Sequence, residues 1–394
     1  SQEAQVNVAG NSVQIVTTGG LAFREGLTAV VGWNPGVVAR PTMVARASST
    51  LLSNLVFVFP IIVLLVMARL WHRYGRDPRK LPITTAYEPP AELRPAEMGT
   101  LLDNSPDIRD ITATLVDLAV RGYLTIEEQT DEKLFGLFSS KNYIFHLKRD
   151  ASQWHDLRAH EQALLQGVFQ NGSASVEDRE LKNRFYRDIP GIQKGIFAQL
   201  VEHGHYQRRP DHVRTRWIGA GVLGAVAIGF LGVVINARSG IDSPTPIAAG
   251  ALSGLIIIGF GIFMPARTVR GARTLEQVLG FEEFLRRVES DRFERIIKTP
   301  ELFEKYLPFA MALRVDDNWC RAFQEICTTP PQWYNTAHPH GFSLHTFGGS
   351  LNRMAVATGA AMTAAPRSSS GSSGFSSGGG FSGGGFGGGG GGGF

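Results

Sequence analysis

A run of apolar residues at positions 51–70, LLSNLVFVFPIIVLLVMARL, constrains this chain more than any other segment. No charged residue occurs from Ala47 to Ala68, and 13 of the 18 residues at 51–68 are Leu, Ile, Val or Phe. Each of these favours insertion near a bilayer centre by roughly 0.3 to 0.6 kcal/mol. A helix rising about 1.5 Å per residue crosses a hydrocarbon core of about 30 Å in about 20 residues. Residues 47–70 are therefore expected to be a transmembrane helix, with Asn54 near one end. Pro60 would end a soluble helix, but exposing backbone to lipid costs more than bending it, so a kink is expected there.

Two further apolar runs, 217–236 and 246–264, have the same character. Arg69, Arg73, Arg76, Arg79 and Lys80 follow the first run, against Arg40 and Arg46 before it. Arg208, Arg209, Arg214 and Arg216 precede the second, and Arg267, Arg270 and Arg273 follow the third. The turn between the last two carries only Arg238 and Asp242. The positive-inside rule then sets the N-terminus outside and the C-terminus in the cytoplasm of a bacterial inner membrane. This bunching accounts for the net charge of +4 better than nucleic-acid binding does.

Gly219, Gly221 and Gly224 spell the dinucleotide fingerprint G-x-G-x-x-G, but Arg214-Thr215-Arg216 precedes it in place of a strand, and apolar residues continue to Ile235. Small residues inside a bilayer instead allow helices to approach closely. Gly221, Ala225 and Gly229 recur every four residues and are expected to face Gly250 and Gly254 in a packed hairpin.

Outside the spans, the first residue is Ser1, which we read as a processed or truncated terminus. Residues 1–46 hold short β-patterned runs, Ser12–Thr17 and 27–33, too few strands for a stable domain. They are expected to be the end of an extracytoplasmic β-domain. Residues 75–212 pattern as helices at 95–102 and 108–123 followed by β runs at 124–128 and 142–147, the winged-helix plan. A second similar unit is expected from helices at 157–169 and 181–203. The presumed recognition helix carries Asp107, Asp110 and Asp117 against Arg109 and Arg121, and the wing adds Glu127, Glu128, Asp131 and Glu132. That charge argues against DNA. Residues 268–335 are expected to form a cytoplasmic helical region, with helices at 275–297 and 300–326. Leu302, Phe303, Leu307, Ala310 and Leu313 mark an apolar face on the second. Residues 336–394 are expected to be disordered, ending in a Ser/Gly tail set with Phe375, Phe381, Phe386 and Phe394.

The fold class expected is thus a mainly α membrane protein with three transmembrane helices, one or more cytoplasmic winged-helix-like modules, a short extracytoplasmic β segment and a glycine-rich tail. Chemistry is sparse. His160-Glu161 begins the zinc-protease motif, but Leu164 replaces its second histidine, leaving an expected surface pair. His338, His340 and His345 are the densest histidine group and the weak candidates for a metal, lacking a Cys or acid at a recognised spacing. Cys320 and Cys327, placed on one helix, would lie about 10 Å apart and remain free thiols, which suits a reducing compartment. No Walker loop, G-x-S-x-G turn or ionisable residue within the spans appears, so no catalytic residue, cofactor or metal is expected. The expected partners are the bilayer, other membrane or cytoplasmic proteins, and a second copy of the chain. The competing classes are an enzyme or transporter subunit whose site needs a missing domain or an oligomer, and a membrane-tethered DNA binder.

Several strings carry a resemblance. Tyr87-Glu88-Pro89-Pro90 leads into Leu93-Arg94-Pro95-Ala96-Glu97, and Asp110-Ile111-Thr112-Ala113-Thr114-Leu115 into Arg121-Gly122-Tyr123-Leu124. With Phe303-Glu304-Lys305-Tyr306-Leu307-Pro308-Phe309-Ala310, Trp319, Phe323 and the Gly/Ser/Phe tail, the chain from about residue 20 resembles bacterial predicted membrane proteins grouped as domain of unknown function 2207. The resemblance implies a signal peptide and a longer β-domain upstream of Ser1, and no activity.

Overall fold

The computed structural model describes residues 4–10, 12–17, 42–44, 55–78, 82–133, 138–239, 244–288, 298–336 and 342–366, with positions 28, 30 and 32. A hairpin opens the chain, β1 (Ala4–Ala9) with β2 (Ser12–Thr17), pairing Val6 with Ile15 and Val8 with Val13. The expected strands include β2 but not its partner, and of the run at 27–33 residues 27, 29, 31 and 33 lie outside the described residues.

The first span is α1 (Val58–Leu70), entered through a 3-10 turn at Leu55–Phe57 and prolonged by a π turn at Trp71–Gly75. Pro60 is the third residue of α1. Its missing N–H falls in the first turn, where helix donors lack intrahelical partners anyway. The expected mid-span kink is corrected to a helix start.

A folded domain follows, built from α2 (Pro95–Asp103), α3 (Ile108–Val120), β3 (Leu124–Lys133), β4 (Phe138–Leu147), α4 (Ala159–Val168), β5 (Ser175–Glu177) and α5 (Ile189–Glu202). The chain then forms α6 (Pro210–Ser239) and α7 (Thr245–Ile262), and returns to the domain as α8 (Val269–Arg287), α9 (Pro300–Ala312), α10 (Asp316–Ala322), β6 (Tyr334–Asn335) and α11 (Leu344–Thr363). Four strands make one sheet in the order β5-β4-β3-β6. β3 and β4 are antiparallel, with Leu124 opposite Leu147, and β6 runs parallel to β3 at Ile126 and Tyr334. One core unites the early and late segments, packing Met98, Leu115 and Phe145 with Phe281, Phe303 and Trp319.

Three expectations need correction. The helix expected at 300–326 is two helices, because Arg314 takes a left-handed conformation (φ +61°) between α9 and α10. The disorder expected from 336 onward is corrected at residues 344–363. Residues 344–363 form α11, which buries Leu344, Phe347, Leu351, Met354 and Met362, and its Gly348 lets the helix approach Cys320 so closely that a Cβ would lie 3.1 Å from the sulfur. The stretch from 367, with the Phe-bearing tail, lies outside the described residues. Finally, the helix expected at 108–123 as a recognition helix carrying Asp110 and Asp117 on its face buries both of them.

Among the described residues, α1 with its π turn, α6 and α7 are long and apolar enough to cross a membrane. Gly221, Ala225 and Gly229 meet Gly250 and Gly254 where α6 and α7 touch. A Cβ on Gly250 would lie 2.5 Å from the Ala225 carbonyl oxygen, and one on Gly254 would lie 2.6 Å from the Ala225 Cβ. A Cβ on Gly221 would lie 2.5 Å from Ile258, whereas one on Gly229 would lie 3.8 Å from the Pro246 carbonyl oxygen. Gly232 against Pro246 and Gly261 against Trp217 extend the seam beyond the four-residue repeat. Gly219 meets nothing within 4 Å. Gly250→Leu is therefore expected to lower the unfolding free energy of the full chain in detergent by about 2 kcal/mol through overpacking, while Gly219→Leu stays within ~0.5 kcal/mol. Equal effects of the two would contradict this seam.

Candidate functional site

The chain passes between membrane helices and domain at three points: after α1, before α6 and after α7. All three converge on Arg267. Its guanidinium is nearly buried and donates from Nη2 to the Leu101 and Leu102 carbonyls at 2.6 and 3.1 Å, and from Nε to Leu101 at 3.1 Å. These carbonyls belong to the last turn of α2, where helix acceptors lack partners and a cation is favoured. Nη1 holds Asp77 Oδ2 at 2.5 Å, and the Arg267 N–H donates to Asp77 Oδ1 at 2.8 Å. One side chain thus joins the exit of α1, the exit of α7 and the end of α2.

The third passage is tied at the same place. Gly204, in a left-handed conformation (φ +76°), ends α5 and turns the chain into an isolated antiparallel bridge between Tyr206 and Arg267. The Tyr206 hydroxyl donates to Asn104 Oδ1 at 2.5 Å, next to the end of α2. Thr268 donates from Oγ1 to the Gly204 carbonyl at 2.6 Å and from its N–H to the His205 carbonyl at 3.0 Å, while its Oγ1 accepts the Gly271 N–H to cap α8. Gly271 is needed for close approach, since a Cβ there would lie 2.2 Å from the His205 oxygen. Glu92 completes the junction, 3.4 Å from the buried His205 Nε2 and paired with Arg270. Burial lowers the His205 pKa, against the opposing pull of Glu92.

Beside the junction lies a buried clasp. Helices α2 and α4 open with one pattern, Arg94-x-x-Glu97 and Arg158-x-x-Glu161. Each glutamate accepts the N–H of the arginine at its own helix start, at 3.0 and 2.8 Å, which satisfies an orphan donor there. The arginine side chains then cross over. Arg158 pairs with Glu97, and Arg94 Nε lies 3.7 Å from Glu161, which also accepts from Arg121 at 2.6 Å. Arg121 reaches Asp117 as well, at 2.9 Å. Both glutamates are fully buried. Burial pushes Glu97 up to about 7 and raises Asp117, opposed by Arg158 and Arg121 respectively. His160, with Nδ1 3.9 Å from Glu97 Oε1, is pushed down to about 4, also by burial. A cleft of about 490 Å³ opens next to the clasp, lined by both signs of charge, among them Arg94, Arg121, Glu304 and Lys305.

The expected surface pair His160-Glu161 is thus corrected. Both are buried, and His160 packs so tightly on α5 that a Cβ on Gly195 would lie 3.0 Å from it. His338 and His340 lie outside the described residues, and His345 is exposed in the first turn of α11. Among the described residues no three His, Cys, Asp or Glu side chains converge as a metal site would require. Cys320 and Cys327 are free and buried. Burial raises both thiols, Cys327 to about 11. Sequence reasoning counts Arg267 only as a topology charge. The signals that mark the junction are a lone arginine just past a span, followed by a Thr helix cap, and the repeated Arg-x-x-Glu.

Three outcomes follow from this geometry. Arg267→Ala is expected to cost the full chain about 3 kcal/mol in denaturant unfolding, because it strands buried partners; Arg267→Lys recovers only part, since an ammonium does not reproduce the fork. Glu97, with a folded pKa raised to about 7 from 4.5, adds stability that is complete below the unfolded value and is lost as pH rises through the folded one. His160, lowered from 6.5 to about 4, acts in the opposite sense, its contribution being lost as pH falls through that window. The stability difference between Glu97→Gln and wild type should therefore move in the variant's favour by ~1–3 kcal/mol between about pH 5 and about pH 8; a flat difference would refute the raised carboxyl. Both cysteines should resist alkylation at neutral pH until the domain unfolds, and rapid labelling of the native chain would contradict their burial.

Comparison with known families places this architecture. The family model described as "Predicted membrane protein (DUF2207) C-terminal domain" matches residues 83–323. No curated protein and no solved structure matches the chain. With the match running over more than half of the chain and taking in the clasp, Arg267 and the α6–α7 hairpin, the protein belongs to the DUF2207 family of predicted membrane proteins.

Proposed function

We propose that this protein is a non-enzymatic coupling or scaffold protein of the bacterial inner membrane, with its N-terminal β segment outside and its folded domain in the cytoplasm, acting through contacts with other proteins. The observation that carries this reading is the Arg267 junction. A shift of α7 relative to α1 moves Arg267 or Asp77, and both are bonded to the end of α2 or to each other, so the domain receives the displacement directly. The orientation is supported by the arginines at the domain side, Arg69, Arg73, Arg76, Arg208, Arg209, Arg214 and Arg216.

We read the helix, helix, hairpin order of α2, α3, β3 and β4 as winged-helix-like. In a DNA-binding arrangement α3 would lie in the groove. Here α3 is buried along its length against the chain's own α2, α9 and α11, and its Asp110 and Asp117 would repel phosphate. That favours protein contacts over nucleic acid.

Photo-cross-linkers introduced at the exposed positions Lys182 and Asn352 of the full chain in native membranes are expected to yield discrete protein adducts, reduced several-fold by Arg267→Ala. Adducts to lipid alone, or a stoichiometric metal or nucleotide retained by the purified chain, would contradict the proposal.

A further inference from the structure

Between α1 and α7 runs an apolar groove of about 460 Å³. Leu64 of α1 and Trp71 of the π turn line it, two turns apart, and so do Ile256, Gly259 and Phe260 of α7 with Phe263 just past its end. The α7 spacing, three, then one, then three residues, is one continuous helix stripe. Among the described residues this stripe is only partly covered, with Ile256, Gly259 and Phe260 half-buried. A Cβ on Gly259 would meet no atom within 4 Å, and Phe263 is 68% exposed. The groove lies at the domain end of the helix pair, since Gly75, just past Trp71, packs against Met264, just past Phe263.

Its mouth is cationic. The Arg76 guanidinium sits 5.8 Å from the centroid of the Trp71 ring and contacts His72 Nδ1 at 3.1 Å. Arg69, Arg73 and Arg76 are exposed, and no carboxylate pairs with any of them among the described residues. The neighbouring arginines differ: Arg267, Arg270 and Arg273 are paired with Asp77, Glu92 and Glu276. The π turn at Trp71–Gly75 is the irregular backbone that carries Trp71 and His72, with Arg76 directly after it. Apolar walls that open onto a tryptophan and the exposed Arg76 guanidinium match the two ends of one amphiphile.

We infer that this groove is a binding site for an anionic phospholipid of the leaflet facing the domain, with an acyl chain along Leu64, Phe260 and Phe263 and the phosphate on Arg76. A zwitterionic lipid would fill the walls but bring its own cation to Arg76. A helix from a second copy would fill the walls and leave Arg76 without an anion. The inference rests on α1 and α7 crossing the bilayer and is independent of the coupling role proposed above.

The test uses the full chain in phosphatidylcholine vesicles containing a low fraction of phosphatidylglycerol, with bromine on the acyl chains of one lipid or the other. The readout is quenching of the fluorescence component that Trp71→Phe removes. Brominated phosphatidylglycerol is expected to quench it several-fold more than brominated phosphatidylcholine at the same mole fraction. The preference should vanish in Arg76→Gln, and quenching itself should fall in Gly259→Leu, which fills open space. Soluble glycerol phosphate should not compete. Native mass spectrometry of the unmodified chain, which needs no variant, should show phosphatidylglycerol retained in preference to phosphatidylcholine. Equal quenching by both lipids would reduce the groove to ordinary boundary surface, no quenching by either would show it covered by protein, and competition by glycerol phosphate would make the site one for a soluble anion; each overturns the inference.

Discussion

The guanidinium of Arg267 is the interaction on which the arrangement of this protein depends. Carbonyls at the end of a helix need donors, and a buried guanidinium needs acceptors in a plane. Here the two needs meet between elements far apart in sequence. The last turn of α2 supplies two carbonyls, Asp77 supplies both carboxylate oxygens, and the backbone of Arg267 itself pairs with Tyr206. The passages between membrane and domain are thus tied into one polar knot at the edge of the apolar core.

On either side of that knot two different kinds of packing operate. Lipid and leucine are equally apolar, so α6 and α7 associate by close approach of small residues, with Gly250 and Gly254 set against the backbone of Gly221 and Ala225. In the domain, burial from water drives packing, and the cost of burying charge is offset only where partners are complete. The crossed Arg94, Arg158, Glu97 and Glu161 meet that condition only in part: each glutamate also closes its own helix start, while Arg94 Nε and Glu97 Oε1 are buried without a hydrogen bond. A polar network of this kind fixes how α2 and α4 register more than it adds net stability. The domain is therefore specified by charge placement, and the membrane hairpin by shape.

How far this was legible in the sequence follows from the range of each signal. The spans and the meeting of Gly221 and Ala225 with Gly250 and Gly254 rest on periodicity within single helices, and α2, α3, β3 and β4 rest on local pattern. The break at Arg314 and the ordered α11 were missed because each is imposed from elsewhere: Arg314 by a left-handed turn between packed helices, and α11 by contacts with Cys320 and Ile108 that let its Gly348 and Gly359 stay helical. Asp110, Asp117 and Glu161 look solvent-exposed in any local reading, since their partners and the helices that cover them come from distant segments. Arg267 is the extreme case. Its role depends on Asp77 and on α2, both more than 150 residues earlier in the chain.

The most direct test of the account is amide hydrogen exchange on the full chain in lipid, comparing wild type with Arg267→Ala. If the guanidinium joins membrane helices and domain into one mechanical unit, protection should fall along α2 and into the adjoining α3, as well as around residues 75–78 and 204–206. A loss of protection confined to residues 264–268, with α2 and α3 unchanged, would contradict the claim that this side chain couples the two halves of the protein.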